Sequence, residues 1–543
     1  MAIHQTHTRR SLHFISLLTF VLIVALAVFF VKQFVLKKTA KPHVKQMLNI
    51  NFTEGDVPSL DSHEMCMHGR GLALGLWLFE GLTRFHPDGK VHLAGAEKVE
   101  ISSCKTRYTF TLRPNYYSNE RLVVAGDYEK AWKQAISPNS KCAKANLFYC
   151  IKNAVKAKKG EVPLDEVGVT ALDDKTLFVQ LESPTPYFLS LLAIAFFAPH
   201  QSEGETILTN GPYYIDEWKK ENMLTLKANP FYWDRDRVKI KQVNISNIKD
   251  DMSALFQKEK GSLDWIGSPF NYLPSDVLRN LIASGQGDPI EIARPLWAYV
   301  NTKHVPLSSS KIRQALSAVL DRKLISQHIF AHYAPLLSPL PKNLSLSSSS
   351  IIDNQLAQGR KLFEEGLKEL GLTLETFPEI TLSSCSLSDF KKLTEYLQGA
   401  WSAAFGIKIR VEILEWNSFY HHLQQGRYQI GTMYIGSDYN DSLALLDPLA
   451  YSNNFSRWED AQYHDLIEQA RKEEDPLVRS ALLKKAEEIV IEKMPIIPIV
   501  NETSYQLMDP ALKGIVFNYR GTPDLSFAYF DDEQNENPHL PRD

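Results

Sequence analysis

Residues 380–413 hold the pattern that most limits what this chain can fold into. Ile380-Thr381-Leu382 reads as a short strand. A helix is predicted from Asp389 to Phe405, with Phe390, Leu393, Leu397, Trp401 and Ala404 on one face and Gly406 as its stop. Ile407-Lys408-Ile409-Arg410-Val411-Glu412-Ile413 then alternates strictly, as a strand does. Strand, helix and strand in that order demand a parallel pair joined by a right-handed crossover. This part of the chain is therefore α/β. With 543 residues, the chain exceeds what one hydrophobic core supports, and two or three domains are expected.

The sheet should continue into the next stretch. Tyr428 to Ile435 is mostly aromatic and β-branched and reads as a buried strand, and Gly436-Ser437-Asp438-Tyr439-Asn440-Asp441 is a turn. In an open α/β sheet small ligands bind beyond the carboxyl ends of the strands. Asp438, with Tyr439 beside it, is thus a candidate ligand contact. An ordinary turn, using Asp and Asn for local hydrogen bonds, is the alternative.

Other elements follow from periodicity and caps. A helix is predicted over Leu72 to Phe79, ended by Gly81, and another opens with Asp127 as an acidic N-cap. Ser309 and Ser310 cap a helix with Ile312, Leu316, Val319 and Leu320 on one face, and Asp353 starts one that Gly371 closes. Leu340 to Ile352 is serine-rich loop, and helices follow Asp460 and Asp475. Met47 to Phe52, Tyr108 to Leu112, Leu177 to Leu181 and Met223 to Ala228 are strands, so residues 46–230 are mixed α and β.

At the N-terminus, Arg9-Arg10 precedes Leu12 to Val31, which is apolar apart from His13, Ser16 and Thr19. Twenty residues at about 1.5 Å each match a hydrocarbon core of about 30 Å. This segment is expected to be an export signal, with Ala25-Leu26-Ala27 as a cleavage site, or a retained membrane anchor. Lys32, Lys37, Lys38, Lys41 and Lys45 follow it and oppose export by the charge rule.

Composition closes off several classes. The net charge of −3 leaves no electrostatic footprint for nucleic acid. The five cysteines form no C-x-x-C pair; Cys142 and Cys150 are spaced so that a disulfide is open to them in an oxidising compartment. His63-Glu64-Met65-Cys66-Met67-His68 invites a metal reading through His63, Cys66 and His68, but a helical zinc motif needs two His at i and i+4, and here the spacing is i+5. An incidental histidine loop is the reading preferred, and no metal or cofactor is assigned. There is no G-x-S-x-G elbow, H-E-x-x-H or G-x-x-x-x-G-K-[ST] motif to support a membrane-anchored hydrolase, and no catalytic residue is assigned.

Five blocks, in order, carry a resemblance. Leu78-Phe79-Glu80-Gly81-Leu82, Tyr108 to Arg113, Asn210-Gly211-Pro212-Tyr213 through Trp218, Asn229-Pro230-Phe231-Tyr232-Trp233, and Ile312-Arg313-Gln314-Ala315-Leu316 through Leu320-Asp321-Arg322 span most of the chain. Together they resemble the oligopeptide/dipeptide (family 5) class of extracellular solute-binding proteins of ABC importers, and Met494-Pro495-Ile496-Ile497-Pro498 resembles the family's closing segment. The resemblance implies a bilobal binding-protein fold of the peptide class, with three lobes and a two-strand hinge. Residues 1–45 would be the signal or anchor with its linker; 46–68, 205–297 and 504–543 a discontinuous first lobe with the tail; 69–204 an inserted second lobe; and 298–503 a third, α/β lobe.

It also implies a function: capture of oligopeptides in an inter-lobe cleft by hinge closure, in the periplasm or cell envelope, for delivery to the permease and ATPase subunits. The protein would be a monomer. Glu415-Trp416 and Ser437-Asp438-Tyr439-Asn440-Asp441 are similar to the family's ligand segment. By that match Asp438 holds the peptide's α-ammonium, Trp416 walls the pocket, and Gly436, Ser437 and Tyr439 flank the ligand. Asp56 matches an acidic position facing a basic ligand end. Ile435-Gly436-Ser437 departs from the family's small residue and Trp before the aspartate, and Ser442 replaces its Pro. A metal or haem scavenger on the same fold, using His63, Cys66, His68, His421 or His422, is the alternative.

Overall fold

The computed structural model describes residues 45–531, apart from 54, 65–68, 143, 204–205 and 272. The apolar stretch from Leu12 to Val31 lies outside the described residues, as do Cys66 and His68. Among the described residues, no helix is long and apolar enough to cross a membrane. Residues Gln46–Tyr529 form one unit, described here.

One eleven-stranded sheet organises that unit. In chain order its strands are β1 (Met47–Asn51), β2 (Tyr213–Lys219), β3 (Met223–Ala228), β4 (Gln242–Ser246), β5 (Trp265–Gly267), β6 (Asp288–Val300), β7 (Ala334–Pro335), β8 (Ile380–Cys385), β9 (Ile409–Leu414), β10 (Ile430–Tyr434) and β11 (Ile496–Met508). Across the sheet they lie in the order β2-β3-β4-β1-β5-β11-β6-β10-β8-β9, with β7 added on β11. The predicted crossover is present: β8 and β9 pair in parallel from Ile380↔Ile409 to Cys385↔Leu414. The connecting helix, Ser388–Phe405, buries the five residues that periodicity turned inward. Each such Leu or Phe contributes about 1.5–3 kcal/mol by leaving water.

The 13-residue strands β6 and β11 lie antiparallel at the middle of the sheet and join its two halves. Their ladder shifts register between Leu296 and Trp297, where Val500 and Pro498 are the successive partners and Ile499 is passed over. Proline has no N–H to give a ladder, so a bulge beside Pro498 is its physical consequence. Ile499 instead accepts from Leu336 N at 3.2 Å.

A separate four-stranded antiparallel sheet, in the order 96–101, 107–112, 176–180, 169–171, carries the helix Ala125–Ala135. Here one expectation is corrected. Asp127 is not the N-cap but sits three residues inside it, and its carboxylate accepts from the backbone N–H of the true cap, Val124, at 3.1 Å. In a capping box the residue at the third helical position reaches back to the N–H of the cap residue, and that is the place Asp127 fills. Asp460 and Asp475 cap the helices that follow them, each accepting from its first turn. Asp353, by contrast, lies outside its expected helix, which runs Leu356–Leu370 with Gln355 at the cap position, and pairs with Arg322 instead.

The sequence blocks that carry the family resemblance meet in space. The Asn210 amide exchanges hydrogen bonds with the Glu80 backbone at 3.0 and 3.1 Å. A Cβ on Gly211 would come within 2.6 Å of the Leu78 carbonyl carbon, so only glycine admits this approach. The buried Tyr232 hydroxyl donates to the Glu80 carboxylate and accepts from Arg84 Nη1 at 2.6 Å, and Arg84 Nη2 reaches Asp524 at 3.1 Å. Burial pushes the Glu80 carboxyl upward and the Arg84 charge opposes it. Arg313 and Arg322 fasten a second region. Arg313 donates to the carbonyls of Leu307, Ser308 and Met494, and Arg322 donates to Pro498 O, Ser317 and Asp353. The motifs are therefore buried polar fasteners between segments distant in sequence.

Cys104, Cys142, Cys150 and Cys385 are free thiols, so Cys142 and Cys150 are not bridged.

Candidate functional site

The site grows from the carboxyl end of β10. After Tyr434 the chain keeps to the β6 side: Ile435 N donates to Pro295 O and Ser437 N to Ala293 O, each at 3.0 Å. This extension carries residues 435–438 beyond the place where β8 stops pairing, since β8 meets β10 only at Ile430 and Gly431. Ser437 is fully buried and its hydroxyl donates to Tyr439 O, which closes the turn. The Tyr519 hydroxyl donates to Asp438 O and holds the turn from the other side.

Asp438 is thereby fixed with its carboxylate at a narrow cleft, lined also by Leu72, Leu76, Leu147, Phe196, Tyr519 and Arg520. Two cations reach it: Lys144 Nζ at 2.7 Å and Arg520 Nη1 at 3.3 Å from Oδ1. The side chains of all three are about a quarter exposed, so the cluster is partly withdrawn from water. Gly436 lies under the same arginine, where an added Cβ would stand 3.4 Å from Arg520 Nη2. The Tyr439 ring stacks on Tyr187, with centroids 4.0 Å apart and planes 8° from parallel. Asp441 turns elsewhere, into a two-pronged pair with Arg479 at 2.7 and 2.9 Å. The two acids of this turn thus have separate partners.

Asp438, Gly436, Ser437 and Tyr439 come together by being consecutive. Trp416 begins the helix Trp416–Gln425, which is capped by Glu415. It stands at the carboxyl end of the edge strand β9, two strands across from β10, which at about 4.8 Å per strand is roughly 10 Å. Its ring is 43% exposed and packs on Phe419 and Tyr420. Asp56 is tied to a different region, accepting from Glu221 N at 2.6 Å and Asn247 Nδ2 at 2.8 Å. It lines none of the cleft around Asp438. His63 is buried with its Nε2 3.2 Å from Phe196 O, and His421 pairs with Gln425 on an exposed helix face.

The structure adds residues that no motif singled out. A cavity of about 450 Å³ lies between the segment after β5, the start of the helix Ser388–Phe405, and β11; its lining includes Ser268, Asn271, Arg279, Tyr333, Asp389 and Glu502. Arg294 links the cavity's Glu502 to the end of β10. Its guanidinium lies 4.7 Å from the Tyr434 ring centroid and donates to Glu502 at 2.6 Å. Burial pushes the Glu502 carboxyl up, and Arg294 draws it back. Lys144, Arg294, Arg520 and Glu502 come from four parts of the chain, and no local sequence pattern singled out any of them.

A sequence profile of the bacterial extracellular solute-binding proteins, family 5 (middle region), matches residues 90–457. The chain is 34% identical over 474 residues to the oligopeptide-binding protein OppA of Bacillus subtilis, a match covering 83% of this chain and 87% of that protein. It belongs to family 5 of the bacterial extracellular solute-binding proteins. Among its relatives in this family is the dipeptide-binding protein DppE of Bacillus subtilis, 29% identical over 83% of this chain and 86% of that one. Solved family 5 structures share the fold. The unliganded open form of the murein tripeptide-binding protein MppA aligns with a TM-score of 0.75 at 24% identity, covering 90% of this chain and 97% of that one. Listeria monocytogenes OppA bound to peptide aligns at 0.71 and 24%, covering 90% and 99%. The mixed α/β architecture expected from the resemblance is thus the one observed.

Proposed function

We propose that this family 5 protein is the extracytoplasmic solute-binding component of an ABC peptide importer, which captures oligopeptides and hands them to the permease that ATPase subunits drive. It carries out no catalytic step. Support comes from the relatives, which are oligopeptide- and dipeptide-binding proteins. The observation that carries the reading is Asp438: an anion at the end of β10 that lines a cleft and is already paired with two cations, Lys144 and Arg520.

A peptide's α-ammonium replaces the Lys144 ammonium at Asp438. A cation leaving water needs a partner charge and further hydrogen bonds, and this carboxylate supplies the charge. The peptide backbone runs along the edge of residues 434–436 that β8 leaves uncovered and pairs as an added strand. The 450 Å³ cavity beside Glu502 receives a side chain or the far end of the ligand. Trp416 forms an outer wall and Asp56 faces a basic end only after the lobes rearrange. Residues 46–68, 205–297 and 504–543 act as one lobe, 69–204 as a second and 298–503 as a third, with β6 and β11 as the hinge. The chain works as a monomer in the periplasm or cell envelope, delivered there by residues 12–31 as signal or anchor.

Titration calorimetry with a free-amine peptide and its N-acetylated twin tests this. The free amine should bind and the acetylated form should be weakened at least tenfold; equal affinity refutes the role of Asp438. Mass analysis of ligand eluted from the purified protein identifies the peptide directly.

A further inference from the structure

Residues 83–93 form a hairpin that the capture site does not use. Its strands, Thr83–Phe85 and Val91–Leu93, pair antiparallel with Arg84 opposite His92, and the turn between them reads His86-Pro87-Asp88-Gly89-Lys90. The turn is closed by backbone bonds of 2.9 Å from His86 N to Lys90 O and from Gly89 N to His86 O, with Gly89 at φ +76°. A left-handed residue at that point is what lets so short a loop reverse, and glycine adopts it without strain.

This reversal brings three ligand-type side chains to one side. His92 Nε2 is 2.8 Å from Asp88 Oδ2, and His86 Nδ1 is 3.4 Å from Asp88 Oδ1. The two imidazole rings stand 4.3 Å apart, and one ligand atom from each of the three residues lies within 4.8 Å of the others. Among the described residues no other three His, Cys, Asp or Glu side chains converge in this way. Phe527 packs edge-on against His86 at 5.3 Å and limits how that ring can turn.

We propose that His86, Asp88 and His92 form a binding site for one divalent transition-metal ion of the zinc, nickel or copper class. Two imidazoles and one carboxylate are the donor set that borderline metals prefer over magnesium or calcium, which take oxygen. Metal–nitrogen and metal–oxygen bonds of about 2.0–2.2 Å need donors about 3–3.5 Å apart, and small side-chain rotations bring these three there. Asp88 is hydrogen-bonded to His92 and stands beside His86, so a metal replaces one hydrogen bond and one close contact with bonds to the same three groups. Three protein ligands leave a coordination position for water or for an amine or carboxylate from outside.

The experiment uses the full chain without a histidine tag and zinc chloride as the probe, followed by calorimetry. The unaltered protein should bind one Zn²⁺ at this site, and the same site loaded with Co²⁺ should give visible absorption from a histidine-bound ion. His92→Gln and Asp88→Asn should each weaken binding at least about a hundredfold, beyond the roughly 10–100-fold cost of losing a mere supporting group around a metal. Both side chains are nearly half exposed, and equal melting temperatures of the metal-free proteins establish that the fold is intact. No zinc binding by the unaltered protein, or equal affinity in His92→Gln, overturns the proposal.

Discussion

Lys144 places its ammonium 2.7 Å from the carboxylate of Asp438, across 294 residues of sequence, and so holds the position that a ligand ammonium would take. The acid is therefore already compensated before any solute arrives, and ligand binding is an exchange of one cation for another. Removing the carboxylate leaves Lys144 and Arg520 facing the ligand's positive end. Asp438→Asn should weaken a free-amine peptide by about 2 kcal/mol or more, roughly thirtyfold, while leaving the melting temperature nearly unchanged. Calorimetry on the two proteins measures this.

The same exchange predicts the opposite sign for the competing cation. Lys144→Met deletes the internal occupant but keeps the length of the side chain. Peptide affinity should rise, by up to about 1 kcal/mol, the range for a partly exposed pair. Unchanged or weakened affinity would mean that Lys144 helps hold the ligand rather than competing with it.

Tyr187 and Tyr439 stack at 4.0 Å beside the same acid. An aromatic pair of this kind contributes about 0.5–1.5 kcal/mol beyond its burial. A double-mutant cycle of Tyr187→Leu and Tyr439→Leu, followed by urea unfolding, should return a coupling energy in that range.

Arg322 is completely buried and satisfies Pro498 O, Ser317 O and the Asp353 carboxylate, the last at 2.6 Å. Arg322→Ala strands all three acceptors and should cost about 3 kcal/mol, read as a lower urea midpoint with an unchanged slope. Arg322→Lys should not restore stability, because one ammonium cannot span the acceptors that a guanidinium fork reaches.

His63 is buried against Phe196 O, with Asp61 and His200 as its charged and titratable neighbours. Burial lowers its pKa to about 4 from the ordinary 6.5, against the pull of Asp61. The neutral ring is thus the folded form. Its contribution is present above pH 6.5 and is lost as pH falls towards 4, because the unfolded chain takes up the proton first. Melting temperatures between pH 7.5 and 4.5 should fall, with about 2–3 kcal/mol from this group, and His63→Gln should flatten that dependence.

Much of the architecture was legible in the chain itself. The crossover 380–414, the glycine stops at 371, 406 and 426, and the acidic caps at 460 and 475 depend on neighbours within a few residues, where periodicity and hydrogen-bond geometry act directly. Asp438 was legible for the same reason: a strand of apolar residues followed by a turn must place its first acid at the sheet's end. Val124 in place of Asp127 as a cap shows how far such reasoning reaches, since an acid can serve a helix start either as the cap residue or from three positions inside it.

The amino-acid order alone determined the element types, the α/β class and the candidate acid, because each rests on local propensity and spacing. The tertiary structure alone decided what that acid touches. Lys144, Arg520 and Tyr519 reach Asp438 from 81 to 294 residues away, and Trp416 and Asp56 are held by other neighbours. Charge pairing over such separations is set by how β6 and β11 draw distant segments into one sheet, and no local pattern encodes it.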